Sequence, residues 1–442
     1  MGRKIRSSHS RSSDILNMNL DIKLNNLRVE NKPILVGLAG AGYAASGFAN
    51  QLLTNTPGMK LVAISNRTIS KADLIYKKVN ITASHVSNKT QLDQVIKEHG
   101  HAITDNANLL CESNLIDVIV DATGDVEFGA HLALKAIENN KHIVLVNAEL
   151  DSTIGPILKH YADKNGVIYT QTDGDQPGVI MNLYRYVKLL GLTPIVAGNI
   201  KSVLDHFRTP ETQKKWAMEN NQSPLLATTA VDGTKIAMEM ATVANATGLK
   251  TGIRGMYGPK MQHVNNSLEN FPLEKILNNE GIVDYILGAE PSFGVFVIAY
   301  TDNPERQKYL KMYKMGDGPY YVFHRPFHLC TLETHISIAE AVINNNATLA
   351  PLAGPVCDVI TIAKKDLKKG EKLDGIGGFT AYGMLENYET SIKENLLPMG
   401  LSKDCVLIKD VKKNEAITYK DIVLPVDRLS DKLRNDQAKL FS

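Results

Sequence analysis

The stretch ILVGLAGAGYAA, residues 34–45, decides the fold of this 442-residue chain. An apolar run ends at Gly40, and a helical pattern begins directly after Gly42. Gly40 permits a tight turn, Gly42 lets the backbone approach a pyrophosphate, and Ala45 lets the helix pack closely on the strand. The segment therefore predicts a strand–turn–helix unit that binds a dinucleotide with its phosphates at the helix N-terminus. Tyr43 and Ala44, which open the helix, are predicted cofactor contacts as well.

Strand and helix patterns alternate from residue 33 to residue 172. The predicted strands are Ile34–Leu38, Lys60–Ser65, Val118–Asp121, His142–Asn147 and Val167–Thr170. The predicted helices between them are Ala44–Leu53, Ser70–Val79, Leu92–His99 and Phe128–Glu138. This alternation is typical of an α/β domain with a doubly wound parallel sheet, and it predicts a Rossmann domain over 33–172.

The sequence pattern changes after residue 172. Residues 173–350 predict an α+β catalytic and oligomerisation domain with long loops, strands at Pro194–Ile200 and Phe293–Tyr300, and a helix at Thr234–Ala246. Residues 351–426 predict a small β-rich unit, in which the near-copies DLKKGEKL (366–373) and DVKKNEAI (410–417) each form a strand, a tight turn and a strand. We expect 1–32 to be a disordered or extended tail, with Met18 as an alternative start, and 427–442 to be a frayed, charged tail.

Composition excludes several classes of partner. The formal net charge is only +2, which gives no basis for nucleic-acid binding. No run of eighteen apolar residues is present, so a membrane span is not expected. The four cysteines are far apart in the sequence, which argues against disulfides or a zinc knuckle and indicates a cytoplasmic protein.

The second predicted strand selects the cofactor. NAD enzymes place an Asp or Glu at the end of this strand to bind the ribose hydroxyls. Here the strand ends in Ser65-Asn66-Arg67-Thr68, which has no carboxylate to repel a 2′-phosphate. Arg67 can pair with that phosphate and Asn66 can donate to it. The sequence predicts NADP in preference to NAD, and NAD stays open.

Two more strand ends are predicted to face the cofactor. Thr123 and Gly124 follow one strand, and Asn147 and Glu149 follow the next. Ligands of doubly wound sheets bind at these carboxyl ends, so the first pair is expected near the nicotinamide ribose and the second near the reactive ring. For Glu149 the alternative is a helix N-terminal charge.

Several long strings resemble one known family. They are DATGDVEFGA, NKHIVLVNAELD, TDGDQPGVIMNLYRYVKLLG, GNIKSVLDHFRTPETQ, DGTKIAMEMATVANATG, YKMGDGPYYVFHRPFHL and IGGFTAYGMLEN. Together they resemble the homoserine dehydrogenase-like oxidoreductases with a C-terminal SAF domain, including the deoxyxylulose-phosphate reductoisomerase-like (DRL-type) enzymes of isoprenoid biosynthesis. The resemblance implies a Rossmann domain, a catalytic domain, a SAF-type β-clip domain and a homodimer or higher assembly.

A nicotinamide reductase needs a proton donor and anchors for its substrate. Lys201, at the end of a predicted strand, is the first choice for general acid or oxyanion stabiliser, with Asp205 close by as a catalytic candidate. Arg208 is a natural clamp for a phosphate or carboxylate. Lys235 and Glu239 stand at i and i+4 of a predicted helix, and form either a surface ion pair or a buried catalytic pair beside Lys201.

Further substrate contacts are predicted at Asp232 and in the segment His324-Arg325-Pro326-Phe327-His328. Pro326 argues against a helical metal-binding histidine pair, so His324 is predicted as a proton shuttle and His328 as a substrate donor. Arg325 is expected to hold a substrate phosphate.

A reductoisomerase also uses a divalent cation, Mg²⁺ or Mn²⁺, bound by oxygen ligands. The available acids are Asp205, Asp232 and Glu239, and their spacing defines no metal site.

The sequence thus predicts an NADP-dependent oxidoreductase acting on a small hydroxy or carbonyl compound, one that carries a phosphate. The most specific version converts deoxyxylulose 5-phosphate to methylerythritol 4-phosphate. The alternatives are a dehydrogenase of another sugar phosphate, a polyol phosphate or a homoserine-like substrate, a polysaccharide-precursor enzyme, and a non-catalytic NADP sensor. The substrate, the reaction direction and the assembly size are left open by the residues.

Overall fold

The computed structural model describes residues 19–441. The strands of its N-terminal part are β1 (Ile34–Ala39), β2 (Met59–Ser65), β3 (Ser84–His85), β4 (Ala102–Thr104), β5 (Val118–Asp121), β6 (His142–Leu145) and β7 (Tyr169–Gln171). They form one seven-stranded sheet in the order β3-β4-β2-β1-β5-β6-β7, with every neighbouring pair parallel. The strand order reverses between β1 and β5, which creates a ligand-binding crevice at the carboxyl ends of these strands.

Helices cover both faces of this sheet. They are α1 (Leu20–Val29), α2 (Tyr43–Thr54), α3 (Ile69–Lys77), α4 (Lys89–Lys97), α5 (Asn108–Glu112), α6 (Val126–Glu138) and α7 (Ala148–Lys164). Alternate residues of the strands enter two separate apolar cores, one on each face. This arrangement confirms the predicted Rossmann architecture.

The expectation of structureless ends is wrong for the described residues. Residues 20–29 form α1 because Leu20 and Leu24, one helical turn apart, are both buried against the Rossmann core. Residues 429–440 form a helix in which Leu433 and Arg434 are buried. Residues 1–18, which include the alternative start at Met18, lie outside the described residues.

A second sheet follows in the chain. Its elements are α8 (Gln176–Leu189), β8 (Thr193–Lys201), α9 (Pro210–Glu219), α10 (Pro224–Asp232), α11 (Thr234–Thr247), α12 (Ser267–Asn270), α13 (Leu273–Asn278), β9 (Ile282–Leu287), β10 (Val295–Tyr300), α14 (Pro304–Met312), β11 (Tyr320–Arg325) and α15 (Cys330–Asn344). The four strands lie in the order β11-β10-β8-β9 and mix parallel with antiparallel pairing, as predicted for an α+β unit. The face carrying Ala197, Val295 and Val297 belongs to the same apolar core as α11, and the opposite face has its own core.

The C-terminal part contains β12 (Cys357–Ala363), β13 (Ala381–Asn387), α16 (Tyr388–Lys393), β14 (Val406–Leu407), β15 (Ile422–Val423) and α17 (Leu429–Leu440). The predicted turns occur at Gly370 (φ +87°) and Asn414 (φ +69°), but the flanking segments form isolated bridges instead of the predicted strands. The two near-copies pair with each other, because Leu367 and Val411 exchange both backbone hydrogen bonds, at 2.8 and 3.0 Å. Within residues 19–441, no helix has the length and apolarity needed to cross a bilayer.

Candidate active site

The turn after β1 has the shape that a pyrophosphate needs. Gly40 has φ +111°, and a Cβ there would lie 2.7 Å from the carbonyl oxygen of Ala122, so only glycine fits. Gly42 caps the 12-residue helix α2, and a Cβ added to Gly42 would meet nothing within 4 Å. Open space therefore lies at the helix N-terminus, where backbone amides and the helix dipole favour phosphate. The residues at this turn fit a dinucleotide, with Ala45 buried and Tyr43 exposed.

The end of β2 carries the groups expected to distinguish the two cofactors. Asn66 Nδ2 donates to the carbonyl oxygen of Thr68 at 2.8 Å, which shapes the loop. Arg67 is exposed and makes no hydrogen bond or ion pair with any other residue in 19–441. The guanidinium is thus available, and residues 65–68 contain no carboxylate.

A buried carboxylate missed by sequence reasoning organises the neighbouring strand ends. Asp121, at the end of β5, accepts hydrogen bonds from the Thr123 hydroxyl at 2.6 Å and from Asn147 Nδ2 at 2.9 Å. Burial raises the pKa of Asp121 to about 6, although these bonds oppose the shift. Asn147 is fully buried and also caps α7 through the amide of Leu150. Thr123 and Asn147 therefore shape the site as a linked pair, while a Cβ at Gly124 (φ +67°) would meet open space.

The Rossmann edge meets the second sheet at a cluster of charged side chains. Lys235 Nζ lies 3.6 Å from Glu149 Oε1, so the predicted cofactor residue Glu149 is tied to the catalytic candidate Lys235. Asn199 Nδ2 donates to Glu239 Oε2 at 3.0 Å. The other oxygen, Glu239 Oε1, is buried and has no hydrogen-bond partner in the described part of the chain. The predicted surface ion pair between Lys235 and Glu239 is not present: Glu239 is buried, Lys235 is half-buried, and the ion pair of Lys235 is with Glu149. A catalytic role for the two residues stays a prediction.

Burial and neighbouring charges set the proton affinities of this cluster. Burial lowers the pKa of Lys201, while the charge of Glu239 opposes that shift. For Lys235, burial favours the neutral amine, but the charges of Glu149, Asp175 and Glu239 outweigh it and raise the pKa. Burial raises the pKa of Glu239 to about 7. Lys201 and Glu239 thus both exchange protons more readily near neutral pH than ordinary surface groups do.

A cleft of about 440 Å³ opens beside the cluster. Lys201 and Arg208 provide its cationic groups, and Trp216 and Phe293 contribute an apolar wall. His328 also lines the cleft. Its Nδ1 donates to the carbonyl oxygen of Phe293 at 2.8 Å, which leaves Nε2 as the free nitrogen, and burial lowers the pKa of the ring. The cleft has the size and mixed lining of a small-molecule site.

Two residues predicted for this site lie elsewhere. His324 pairs with Phe296 across β10 and β11, so its side chain lies on the sheet face opposite Lys201 and Asn199, where it is exposed and contacts the His263 ring. Asp232 is fully buried and binds Lys364 Nζ at 2.9 Å, so it joins two parts of the fold and does not meet substrate.

Two other predicted site residues, Arg325 and Asp205, already form ion pairs with neighbouring side chains. Arg325 forms a bidentate ion pair with Glu333 through both terminal nitrogens, which neutralises the charge expected to hold a substrate phosphate. Asp205 accepts a hydrogen bond from Arg208 Nε at 3.0 Å. The terminal nitrogens of Arg208 make no hydrogen bond with the described residues, so the predicted anion clamp is available in the cleft.

The acids proposed as ligands for Mg²⁺ or Mn²⁺ do not fit a shared ion. Asp205 pairs with Arg208, Asp232 with Lys364, and Glu239 with Asn199. Within residues 19–441, no group of three or more His, Cys, Asp or Glu side chains is placed to hold a metal ion.

Two family models match adjoining parts of the chain. Residues 40–170 match the NAD-binding domain of homoserine dehydrogenase, and residues 174–334 match the catalytic domain of the oxidoreductase DRL. These matches confirm the resemblance to homoserine dehydrogenase-like, DRL-type NAD(P)-dependent oxidoreductases. Neither match extends beyond residue 334, so the SAF domain remains a prediction. No curated protein matches the sequence.

Solved structures of dehydrogenases and reductases resemble parts of the chain. Biliverdin reductase from Synechocystis, in complex with biliverdin and NADP+, shows 18% identity and a TM-score of 0.27 over 39% of this chain and 48% of that one. Myo-inositol dehydrogenase from Lactobacillus casei, in complex with NAD(H) and myo-inositol, shows 15% identity and a TM-score of 0.29 over 40% of this chain and 49% of that one. A homoserine dehydrogenase from Thiobacillus denitrificans shows 12% identity and a TM-score of 0.43 over 87% of this chain and 98% of that one. The chain spans about half the length of the first two proteins.

Proposed function

We propose that this protein transfers hydride between NADP(H) and a small, anionic hydroxy or carbonyl compound. The observation that carries the proposal is the position of Lys201. This half-buried lysine lines the cleft and lies in one charged cluster with Lys235. Lys235 pairs with Glu149, which follows β6 at the carboxyl edge of the Rossmann sheet. A proton donor and a dinucleotide groove therefore meet at one place.

The residues of the chain have distinct parts in this proposal. The turn at Gly40 and Gly42 binds the pyrophosphate, and the nicotinamide supplies or accepts the hydride when it is bound. Lys201 Nζ holds the proton that the carbonyl oxygen takes up, and Glu239 acts as the neighbouring proton reservoir. Lys235 places fixed positive charge where the oxyanion develops.

The charges of the cleft favour an anionic substrate. Arg208 presents unpaired terminal nitrogens, Lys201 adds a second cation, and Asp205 occupies only the Nε of Arg208. A phosphate or carboxylate on the substrate would complete this arrangement, and the substrate is proposed to be phosphorylated.

The preference for NADP is tested at Arg67. We expect Arg67→Ala to raise the Kd of NADPH by about 10- to 100-fold, because one charge-assisted bond to the 2′-phosphate is lost. The Kd of NADH should change little. Fluorescence titration measures both values, and Lys78→Ala, an exposed lysine at the far end of α3, is the control. Equal weakening of both cofactors would contradict the assignment.

The activity itself is tested by NADPH oxidation. The panel contains deoxyxylulose 5-phosphate, tetrose and pentose phosphates, polyol phosphates in the reverse direction, and homoserine-type substrates, each with and without Mg²⁺. Turnover of deoxyxylulose phosphate to a rearranged product would establish the narrower reductoisomerase activity, whereas simple reduction would exclude it. NADPH binding without turnover of any substrate would favour the sensor.

We also propose, from the resemblance, a cytoplasmic homodimer or higher assembly with Rossmann, catalytic and SAF-like domains at 33–172, 173–350 and 351–426. Light scattering would measure the assembly size.

A further inference from the structure

Helix α7 is broken in its middle. Ile154 has φ −140° and ψ +16°, which are not helical angles, and Pro156 follows two residues later. A proline inside a helix lacks the N–H that would bond to the fourth residue before it, and its ring clashes with that carbonyl group. The break divides α7 into a first segment, 148–153, and a second segment, 155–164. Each new helix end leaves backbone groups that need hydrogen-bond partners.

The C-terminal helix α17 supplies partners at both new ends. Arg434 Nη1 donates to the carbonyl oxygen of Thr153 at 3.1 Å, at the end of the first segment. Gln437 Oε1 accepts from the amide of Ile157 at 3.3 Å, in the first turn of the second segment. Arg434 and Gln437 are three residues apart, so they lie on one face of α17, and both are buried. Two side chains of one helix therefore hold the break in another.

Other contacts fix the position of α17. The carboxylate of Glu127, on α6, accepts hydrogen bonds from the amides of Leu429 and Ser430 at 2.7 and 2.9 Å. Arg434 also forms a buried ion pair with Asp358 on β12. The helix is thus attached to α6 and to the C-terminal sheet, and it can support α7 as well as pack against it.

The first segment of α7 carries Glu149, whose Oε1 lies 3.6 Å from Lys235 Nζ. This segment is shorter than two helical turns, so it is not stable as a helix by itself. The Asn147 side chain caps its N-terminus, and Arg434 binds the carbonyl oxygen of Thr153 at its C-terminus. The hydroxyl of Thr153 in turn donates to the carbonyl oxygen of Glu149 at 2.7 Å. A chain of hydrogen bonds therefore joins α17 to Glu149.

We propose that Arg434 and Gln437 are positioning residues, which hold Glu149 against Lys235 through the broken helix α7. Arg434 holds the end of the segment that carries Glu149, and Gln437 fixes the direction in which the chain leaves that segment. The C-terminal helix thereby helps to keep Lys235 charged. The inference rests on the proposed function only for the part that Lys235 plays in hydride transfer.

The test measures the charge of Lys235 and needs neither substrate nor cofactor. Burial favours the neutral amine of Lys235, and the charge of Glu149 is the largest of the effects that raise its pKa. Acetic anhydride acetylates only the neutral amine. The acetylation rate of Lys235 at pH 10, followed by mass spectrometry of its peptide, therefore reports whether Glu149 is in place.

Gln437→Met removes the hydrogen-bond acceptor and retains the length of the side chain. It should raise the acetylation rate of Lys235 about tenfold, because a displaced Glu149 lowers the pKa of Lys235 by about one unit. Glu149→Gln should raise the rate at least as much. The double variant Gln437→Met/Glu149→Gln should react no faster than Glu149→Gln alone, since both changes act through one carboxylate. Gln437→Glu, which keeps an acceptor, should retain the wild-type rate.

Leu433→Ala is the matched control. Leu433 lies on α17 and belongs to the same apolar core as Leu158 of α7, so its truncation destabilises the protein without removing either hydrogen bond. It should lower the melting temperature and leave the acetylation rate of Lys235 unchanged. The inference is overturned if Gln437→Met leaves this rate unchanged, if its effect adds to that of Glu149→Gln, or if Leu433→Ala raises the rate equally.

NADPH oxidation separates this inference from the proposed function. With a substrate that is turned over, Gln437→Met should lower kcat about tenfold, because the charge that stabilises the oxyanion is partly lost. If the acetylation rates follow the expected pattern and no substrate is turned over, the positioning of Lys235 holds and the proposed function fails. Turnover together with an unchanged Lys235 rate in Gln437→Met gives the opposite result.

Discussion

Two buried sets of lysines and carboxylates in this protein differ in how fully their hydrogen bonds are satisfied. Lys364 Nζ donates to Asp232 Oδ2 at 2.9 Å, to the Arg208 carbonyl at 2.8 Å and to the Gly378 carbonyl at 2.9 Å, which uses all three of its protons. In the cluster at the cleft, Lys235 Nζ lies 3.6 Å from Glu149 Oε1, and Glu239 Oε1 has no hydrogen-bond partner in the described residues.

This difference in hydrogen bonding distinguishes charged residues that stabilise the fold from charged residues proposed to act on a ligand. A fully satisfied buried pair needs nothing further, and Lys364 joins the C-terminal part of the chain to the loop of Arg208 and the start of α11. Buried polar groups without hydrogen-bond partners lower the stability of the folded protein, and a ligand that supplies the missing partners removes this cost. The same two residue types thus serve two purposes, and the two sets differ both in their hydrogen bonding and in their position relative to the cleft.

Replacing Lys201 should give the largest effect. We expect Lys201→Met to lower kcat by about 10²- to 10⁴-fold, which is the range for loss of a general acid. The melting temperature should stay the same or rise, because a buried ammonium with a lowered pKa is removed. NADPH oxidation and thermal unfolding measure the two effects. Lys188→Met, at an exposed lysine of α8, should change neither. If Lys201→Met lowered the melting temperature, Lys201 would stabilise the fold as Lys364 does.

Replacing Lys364 should give the opposite result. Lys364→Met leaves Asp232 as an uncompensated buried charge, and we expect the free energy of unfolding to fall by about 3 to 5 kcal/mol. The double variant Lys364→Met/Asp232→Asn should recover much of this loss, because the isolated charge is gone. Urea denaturation measures both proteins. A single variant as stable as the wild type would remove the distinction between the two sets.

Local sequence predicted the elements of the fold that depend on neighbouring residues. The roles of Gly40, Gly42 and Ala45 follow from a short motif. Helical spacing placed Lys235 and Glu239 on one face of α11, but it could not show that Lys235 pairs with Glu149 from another element. The position of Asp121 at a carboxyl end is visible in the sequence, whereas its hydrogen bonds to Thr123 and Asn147 are not.

The wrong predictions depended on contacts between distant residues. Asp232 was assigned to substrate because its partner Lys364 lies 132 residues further along the chain. His324 was placed in the site although its position opposite Phe296 turns it to the other face of the sheet. The face of a strand residue depends on the pairing register, which no local pattern in this segment specifies.

The smallest expected effect is on the pH dependence of stability. The pKa of Glu239 is about 7 in the folded protein, raised by burial from its ordinary 4.5. The folded state therefore holds a proton that the unfolded state releases at lower pH. The resulting stabilisation is complete below pH 4.5 and is lost as the pH rises through about 7. Glu239→Gln should flatten this decline by no more than about 3 kcal/mol, because the amide does not titrate and one pKa unit corresponds to about 1.4 kcal/mol.

Asp151 provides the matched control for this measurement. Burial also raises its pKa to about 7, and like Glu239 it has one bonded oxygen, which accepts from the Tyr169 hydroxyl at 2.8 Å, and one oxygen without a partner in the described residues. Asp151 differs from Glu239 in its location within the Rossmann core. Asp151→Asn should flatten the same pH profile and leave kcat unchanged, whereas Glu239→Gln should flatten the profile and lower kcat as well. Urea denaturation from pH 4 to pH 9, combined with NADPH oxidation, measures both. If both variants retained full activity, Glu239 would have no part in catalysis and would belong with the structural carboxylates of the core.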